Sequence, residues 1–237
     1  MLPGNEKLGD NTYVKQYIRG IYNLDPPRTR YTTIWDTSTV IEVLKHSPWV
    51  PTSEISLLNL SKKLIFLILV VSGKRGQLIT ALDIEKMELS EDKVMFKVDN
   101  ECFKEGRPGY RPGLVTLQAF HDKDLCPVTL LQEYLTRTTS LRKSTKLFIT
   151  TNKPHRPGSR DTVSRWVKAL LDAAGINTAE FAAGSTRSAA GSKASQRGVP
   201  LDEIMAAGGW ARPTTFSRWY KKEIRKKGSV TEAILGD

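Results

Sequence analysis

The chain has 237 residues, 39% of them hydrophobic and 26% charged. That is enough apolar material for one or two packed domains, and it excludes a disordered tail, a collagen-like fibre and a coiled-coil rod. Its 36 basic and 25 acidic side chains leave a net charge of +11, which points to an anionic partner, with nucleic acid first.

Cysteine and histidine usage narrows the classes further. Cys102 and Cys126 make neither a disulfide framework nor an ordinary zinc site. His46, His121 and His155 do not cluster with acids as metal ligands do. The start, Met1 to Glu6, lacks the basic-then-apolar pattern of a signal peptide. The longest apolar run, Leu64 to Val71, is shorter than the roughly 18–20 residues that span a bilayer. A soluble, intracellular, reduced protein with no membrane partner is expected.

In chain order, residues 1–34 are polar and proline-bearing, and Pro26-Pro27-Arg28-Thr29-Arg30 reads as a stiff basic linker. The core begins near Trp35. Val40, Ile41, Val43 and Leu44 have helical spacing within Thr39 to Lys45. Ser53 is placed to cap a helix running through Leu57, Leu60, Leu64 and Leu67 and stopping at Ser72-Gly73. Val94 to Val98 and Gly113 to Phe120 alternate as strands do. The Pro- and Gly-rich stretch between them, 103–109, reads as a long hairpin connection. Pro127 suits the first position of a helix through Thr138, and Leu147-Phe148-Ile149 reads as a further short strand. Ser159 to Ala174 carries Val163, Trp166, Val167, Leu170 and Leu171 at helical spacing, with Gly175 as its stop. Small residues dominate 182–194. Pro200 opens a short helix through Ile204. Pro213 opens a long final helix through Phe216, Trp219, Tyr220 and Ile224.

Charge is concentrated late. Residues 155–227 hold 14 Lys or Arg and 6 Asp or Glu, net +8, whereas residues 1–154 net +5 and residues 228–237 net −2. A basic helical segment suits phosphate contacts, although solvated helix faces have the same composition.

Four separated features bear on chemistry: Ser72-Gly73-Lys74-Arg75-Gly76-Gln77 after the apolar helix, Lys104 in the hairpin, Gly184-Ser185-Thr186-Arg187 opening a small-residue helix, and Gly208-Gly209-Trp210 with Tyr220 ten positions on. In this order the set resembles the catalytic domain of tyrosine recombinases, the phage-integrase superfamily. Within it the sequence is most similar to recombinases of DIRS-type retrotransposons and related eukaryotic mobile elements. The opening Tyr17-Ile18-Arg19-Gly20-Ile21-Tyr22-Asn23-Leu24, the hairpin Lys104-Glu105-Gly106-Arg107-Pro108-Gly109, Ser185-Thr186-Arg187-Ser188-Ala189 and Ala206-Ala207-Gly208-Gly209-Trp210 carry that likeness, which extends from about residue 17 to 225.

The resemblance implies an α+β fold, mostly α, with a small antiparallel β-sheet. It implies a linker over 1–34, the catalytic domain over 35–227 and a tail over 228–237. It also implies DNA strand cleavage and rejoining through a 3′-phosphotyrosyl intermediate, for recombination or integration of a mobile element, with no metal and no cofactor. Tyr220 is then the nucleophile, and Arg75 and Arg187 the cations on the non-bridging oxygens. Lys104 is the acid for the leaving 5′-oxygen, ahead of Lys97 and Lys93, and Trp210 is an N–H donor to phosphate. Lys74, Arg107, Arg160, Arg165, Arg212 and Arg218 are candidate DNA-backbone contacts. Double-stranded DNA is the partner, a DNA-bound tetramer the assembly, and the nucleus the location for a eukaryotic element.

Three positions depart from the family pattern. Gly184 stands where the family has a histidine that helps hold the phosphate and serves acid–base steps. Leu78 stands where many bacterial members have glutamate. Residues 1–34 are too short and polar for the family's N-terminal DNA-clamping domain, so a catalytic domain alone is expected. The alternative at this stage is a catalytically impaired DNA-binding protein on the same fold. A basic scaffold for an acidic partner and a type IB topoisomerase-like enzyme also stay open.

Overall fold

The apolar run at 64–71 organises the architecture. It lies in α3 (Leu57–Ser72), whose Leu60, Leu64, Ile65, Phe66, Leu67, Ile68 and Leu69 are all buried. A helix apolar on every side must sit inside a protein rather than on its surface. This structure, a computed structural model, describes residues 8–26, 30–98 and 114–225. The chain divides into two compact units, residues 1–32 and 33–237.

The first unit holds α1 (Thr12–Leu24), capped by Asn11, whose side chain accepts from the Tyr13 and Val14 amides. None of its residues is buried. This helix falls inside the stretch that the sequence reading takes as linker. Its polar composition hides the 3–4 spacing of Tyr17, Ile18 and Ile21.

In the second unit α3 packs against α5 (Pro127–Thr138), α6 (Arg160–Ala173) and α7 (Thr186–Gln196). Ser56, not Ser53, caps α3 by accepting from the Asn59 amide. Gly73 ends it in the left-handed conformation at φ 59°, as the Ser72-Gly73 stop requires. Pro127 and Ser159 open α5 and α6 as their sequences predict, with the Ser159 hydroxyl accepting from the Thr162 amide. Lys63 lies fully inside α3's buried surface and donates to the Trp49 carbonyl at 2.7 Å.

The small sheet is antiparallel, β2 (Met87–Leu89), β3 (Lys93–Phe96) and β4 (Val115–Gln118) in that order. Val94 pairs with Leu117 and Phe96 with Val115 on its buried face. β2 is absent from the sequence reading because its three residues, one half-buried and two exposed, show no alternation. Most of the connection between β3 and β4, with Lys104 and Arg107, lies outside the described residues. Leu147-Phe148-Ile149 does not form a strand. Ile149 makes only an isolated bridge to Pro157, and its amide donates to the buried Tyr134 hydroxyl.

The last third departs from its prediction at two places. α8 (Leu201–Gly208) runs longer than Pro200 to Ile204, and Pro200 is its cap. The final helix, α9 (Pro213–Trp219), stops before Tyr220 instead of continuing to Ile224. Residues 223–224 form β5 (Glu223–Ile224), parallel to β1 (Thr33–Ile34). Side chains of α7 end α9. The Ser188 and Ser192 hydroxyls both donate to the Tyr220 carbonyl, at 2.6 and 3.1 Å, and Ser192 Oγ accepts from the Lys222 amide. A periodicity argument sees Ile224 on the right face and cannot see these hydroxyls. Between β1 and α3 lies α2 (Thr37–Val43), with Asp36 as its cap.

Candidate active site

The turn after α3 supplies the first wall of a cleft of about 290 Å³. Gly73 reverses the chain, so Lys74 and Arg75 project from a short loop before α4 (Gly76–Ala81), with Arg75 at its N-cap position. The first turn of α6 supplies Arg160, and the start of α7 supplies Gly184, Thr186 and Arg187. Tyr220 closes the lining from the end of α9. The first turns of α6 and α7 thus both border the cleft, and helix N-termini favour anions. Among the described residues the lining holds four cations, Lys74, Arg75, Arg160 and Arg187, and no carboxylate.

Arg187 is the most constrained of these. It is 4% exposed, and one Nη donates to the Gly73 carbonyl at 2.7 Å and the Gly208 carbonyl at 2.8 Å. Its guanidinium lies 4.1 Å from the Trp210 ring centre and 5.0 Å from that of Tyr220. Such stacking orders a cation at little hydration cost. Trp210 in turn packs edge-on against Phe216 at 4.9 Å and against Tyr220 at 5.1 Å.

Glycines make this packing available. A Cβ on Gly208 falls 2.0 Å from the Trp210 ring, and one on Gly191 falls 2.8 Å from Phe216 and 3.3 Å from Trp210. The small-residue run of α7 and the Gly208-Gly209 pair are therefore a socket for the indole. Gly209 itself is left-handed at φ 73° and ends α8. Trp210 is buried, and among the described residues its indole N–H has no acceptor. It stands behind the cleft and does not line it.

Gly184 is the opposite case. It is exposed at the cleft, and a Cβ there meets nothing within 4 Å. The position lacks a side chain but has room for one.

The remaining predicted residues are spread more widely. Arg165, Arg212 and Arg218 are exposed and do not line the cleft. Lys97 pairs with Glu88 on the sheet, and Lys93 opens β3. Lys104 and Arg107 lie outside the described residues. Leu78 is buried as part of the core. Gln77, Thr186 and Ser188 stand within the sequence motifs without a predicted role, and Ser164 and Ser192 lie outside them; Gln77, Ser164 and Thr186 line the cleft, and Ser188 and Ser192 hold the Tyr220 backbone. The one available signal was the four-residue spacing of Ser188 and Ser192, which puts both hydroxyls on one helix face.

Lys74 deserves a separate place from the surface arginines. It is half-buried, and burial together with the Arg187 guanidinium pushes its ammonium below the usual lysine range.

No helix among the described residues is long and apolar enough to cross a membrane. No curated protein is detectably similar to the chain. Solved structures are. A XerH site-specific recombinase bound to palindromic difH substrate, in a post-cleavage complex, shares 21% identity and a TM-score of 0.57 over 78% of this chain and 48% of its own. XerA recombinase shares 17% identity and a TM-score of 0.55 over 86% of this chain and 66% of its own. A pre-cleavage XerH complex with difH shares 18% and 0.58 over 98% and 65%. The chain thus spans about half to two thirds of the length of these proteins, and the likeness establishes the fold: mostly helical with a small antiparallel sheet. The sequence itself matches the phage integrase family over residues 50–226. That match covers well over half of the chain and all the described cleft residues, and it makes this protein a member of the phage integrase family.

Proposed function

We propose that this protein cleaves and rejoins DNA strands through a covalent bond from Tyr220 to the scissile phosphate. The observation that carries the reading is the cleft that joins Tyr220 to four cations with no carboxylate among its described lining residues. Such a site suits a phosphodiester and repels nothing about it.

The step balances without an external energy source. The Tyr220 oxygen forms a bond to phosphorus, the bond from phosphorus to the 5′-oxygen breaks, and the phenol proton passes to solvent water. The leaving oxygen takes a proton from Lys104. Attack by a 5′-hydroxyl on the phosphotyrosine reverses the sequence and releases Tyr220. Arg75 and Arg187 face the charge that builds on the non-bridging oxygens, where a planar guanidinium binds bidentately. Trp210 positions Arg187 and Tyr220 by stacking on both. Arg165, Arg212 and Arg218 contact the backbone of double-stranded DNA away from the cleft, and Arg107 is a further backbone contact. Recombination on this scheme runs in a DNA-bound tetramer. The DIRS-like motifs support an origin in a eukaryotic mobile element and a nuclear location. The linker, catalytic domain and tail boundaries at 34 and 227 belong to this same reading.

Gly184 favours a second reading, a DNA-binding protein impaired in chemistry, because an acid–base group is worth typically 10²–10⁴-fold in rate. Trapping on nicked suicide duplexes drawn from DNA flanking the coding region separates the two. Strand cleavage predicts a covalent adduct from the wild-type chain. An adduct from Gly184→His alone establishes the impaired reading, and DNA binding with no adduct from either overturns strand cleavage.

A further inference from the structure

The open space at Gly184 borders the same cleft as a lysine that the sequence reading assigns to the DNA backbone. Lys74 lines this cleft, and the carbonyl just before it, on Gly73, is bonded to Arg187 at 2.7 Å. Its position is therefore tied to the most rigid cation of the site. The groups around it are Arg75 on its own loop, Arg160 from α6, Arg187 from α7 and Tyr220 from the end of α9. None of them is acidic. A half-buried ammonium beside the Arg187 guanidinium, in a cleft with two further arginines, is unfavourable until an anion enters.

We propose that Lys74 is a catalytic residue whose ammonium binds the scissile phosphate in the cleft where Gly184 supplies no side chain. Its part is charge neutralisation, and the bonds made and broken are those given above. The inference rests on the cleft being the site of phosphoryl transfer. The lowered proton affinity of Lys74 fits, since burial and Arg187 both act against its charge until phosphate restores the balance.

Two experiments on the full chain test this. The first titrates inorganic orthovanadate, a tetrahedral oxyanion, against tryptophan fluorescence. Lys74→Met is expected to weaken binding about tenfold and Lys74→Arg by no more than about threefold. Adding Gly184→His to Lys74→Met is expected to recover most of the loss. Lys74→Gln, closer in shape to lysine, repeats the measurement if the methionine variant fails to fold. Equal affinity for the wild type and the neutral variants overturns the assignment, and a loss that Gly184→His leaves unchanged overturns the compensation.

The second experiment compares adduct formation on a normal scissile phosphate and on an uncharged methylphosphonate. Loss of one preorganised donor to a developing oxyanion costs about 10²–10³-fold. That loss is expected for Lys74→Met on the phosphodiester, with less than about tenfold on the methylphosphonate. Equal losses on both substrates assign Lys74 a purely structural part and refute the proposal. If no variant forms an adduct yet vanadate binding follows Lys74, strand cleavage fails while Lys74 stands as the anion ligand of the cleft.

Discussion

Adding one methyl group at Gly208 tests whether the indole socket supports the site. Gly208 is the last residue of α8, where glycine-to-alanine replacement ordinarily gains up to about 1 kcal/mol of helix stability. Here the new Cβ lies 2.0, 2.3 and 2.6 Å from three carbons of the Trp210 ring. The ring has no easy retreat, because it is packed on the Arg187 guanidinium at 4.1 Å and on the Phe216 and Tyr220 rings at 4.9 and 5.1 Å. Overpacking of this kind costs about 1–3 kcal/mol. After the propensity gain, Gly208→Ala is expected to lose about 1–2 kcal/mol, or roughly 2–8 °C in Tm for a domain of this size. Cleavage should fall as well, since Trp210 and the Gly208 carbonyl both hold Arg187. Gly184→Ala, with nothing within 4 Å of its Cβ, is the matched control and should melt within about 1 °C of wild type. The assay is thermal unfolding followed by far-ultraviolet circular dichroism. A Gly208→Ala chain that melts at or above the wild-type temperature refutes the socket.

Other outcomes follow from the same contacts. Tyr134→Phe removes the acceptor of the buried Ile149 amide and should cost about 1–3 kcal/mol in urea unfolding. Asp36 caps α2 and binds Lys193 of α7 at 3.0 Å, so Asp36→Ala should cost about 1–2 kcal/mol. Burial pushes the Asp36 carboxyl up, but Ser38 and Lys193 together hold it below 3.8. Its contribution is therefore complete above pH 3.8 and disappears as pH falls through the lower folded value. Acid titration of wild type against the variant checks that sign. Arg165→Ala and Arg212→Ala should each reduce the slope of log affinity against log salt by about 1, while leaving cleavage at saturating DNA unchanged.

The legible parts of this protein are those where local chemistry and tertiary environment agree. The α3 run is apolar on all sides, Gly73 is a glycine where φ must be positive, and Pro127 and Ser159 sit at helix starts. The motif order also brought Arg75, Arg187, Gly184 and Tyr220 to one cleft, although more than a hundred residues separate the first two. What escaped depends on partners distant in sequence. The end of α9 is set by two serines on α7, and β5 exists only because β1 is beside it. Lys74 reads as a DNA-backbone contact because the Lys74-Arg75 pair carries no sign of which side chain turns inward. Trp210 read as a cleft donor, and the socket of Gly73, Gly191 and Gly208 that draws it behind the cleft involves three separate segments. The spacing within α1 was available and was outweighed by the polar composition around it.

The central claim is that Tyr220 becomes covalently attached to DNA. The direct measurement is mass spectrometry of the trapped adduct after nuclease and protease digestion. The account predicts a nucleotide-bearing peptide containing Tyr220, absent from Tyr220→Phe. A nucleotide on any other residue, or an adduct that persists in Tyr220→Phe, contradicts it.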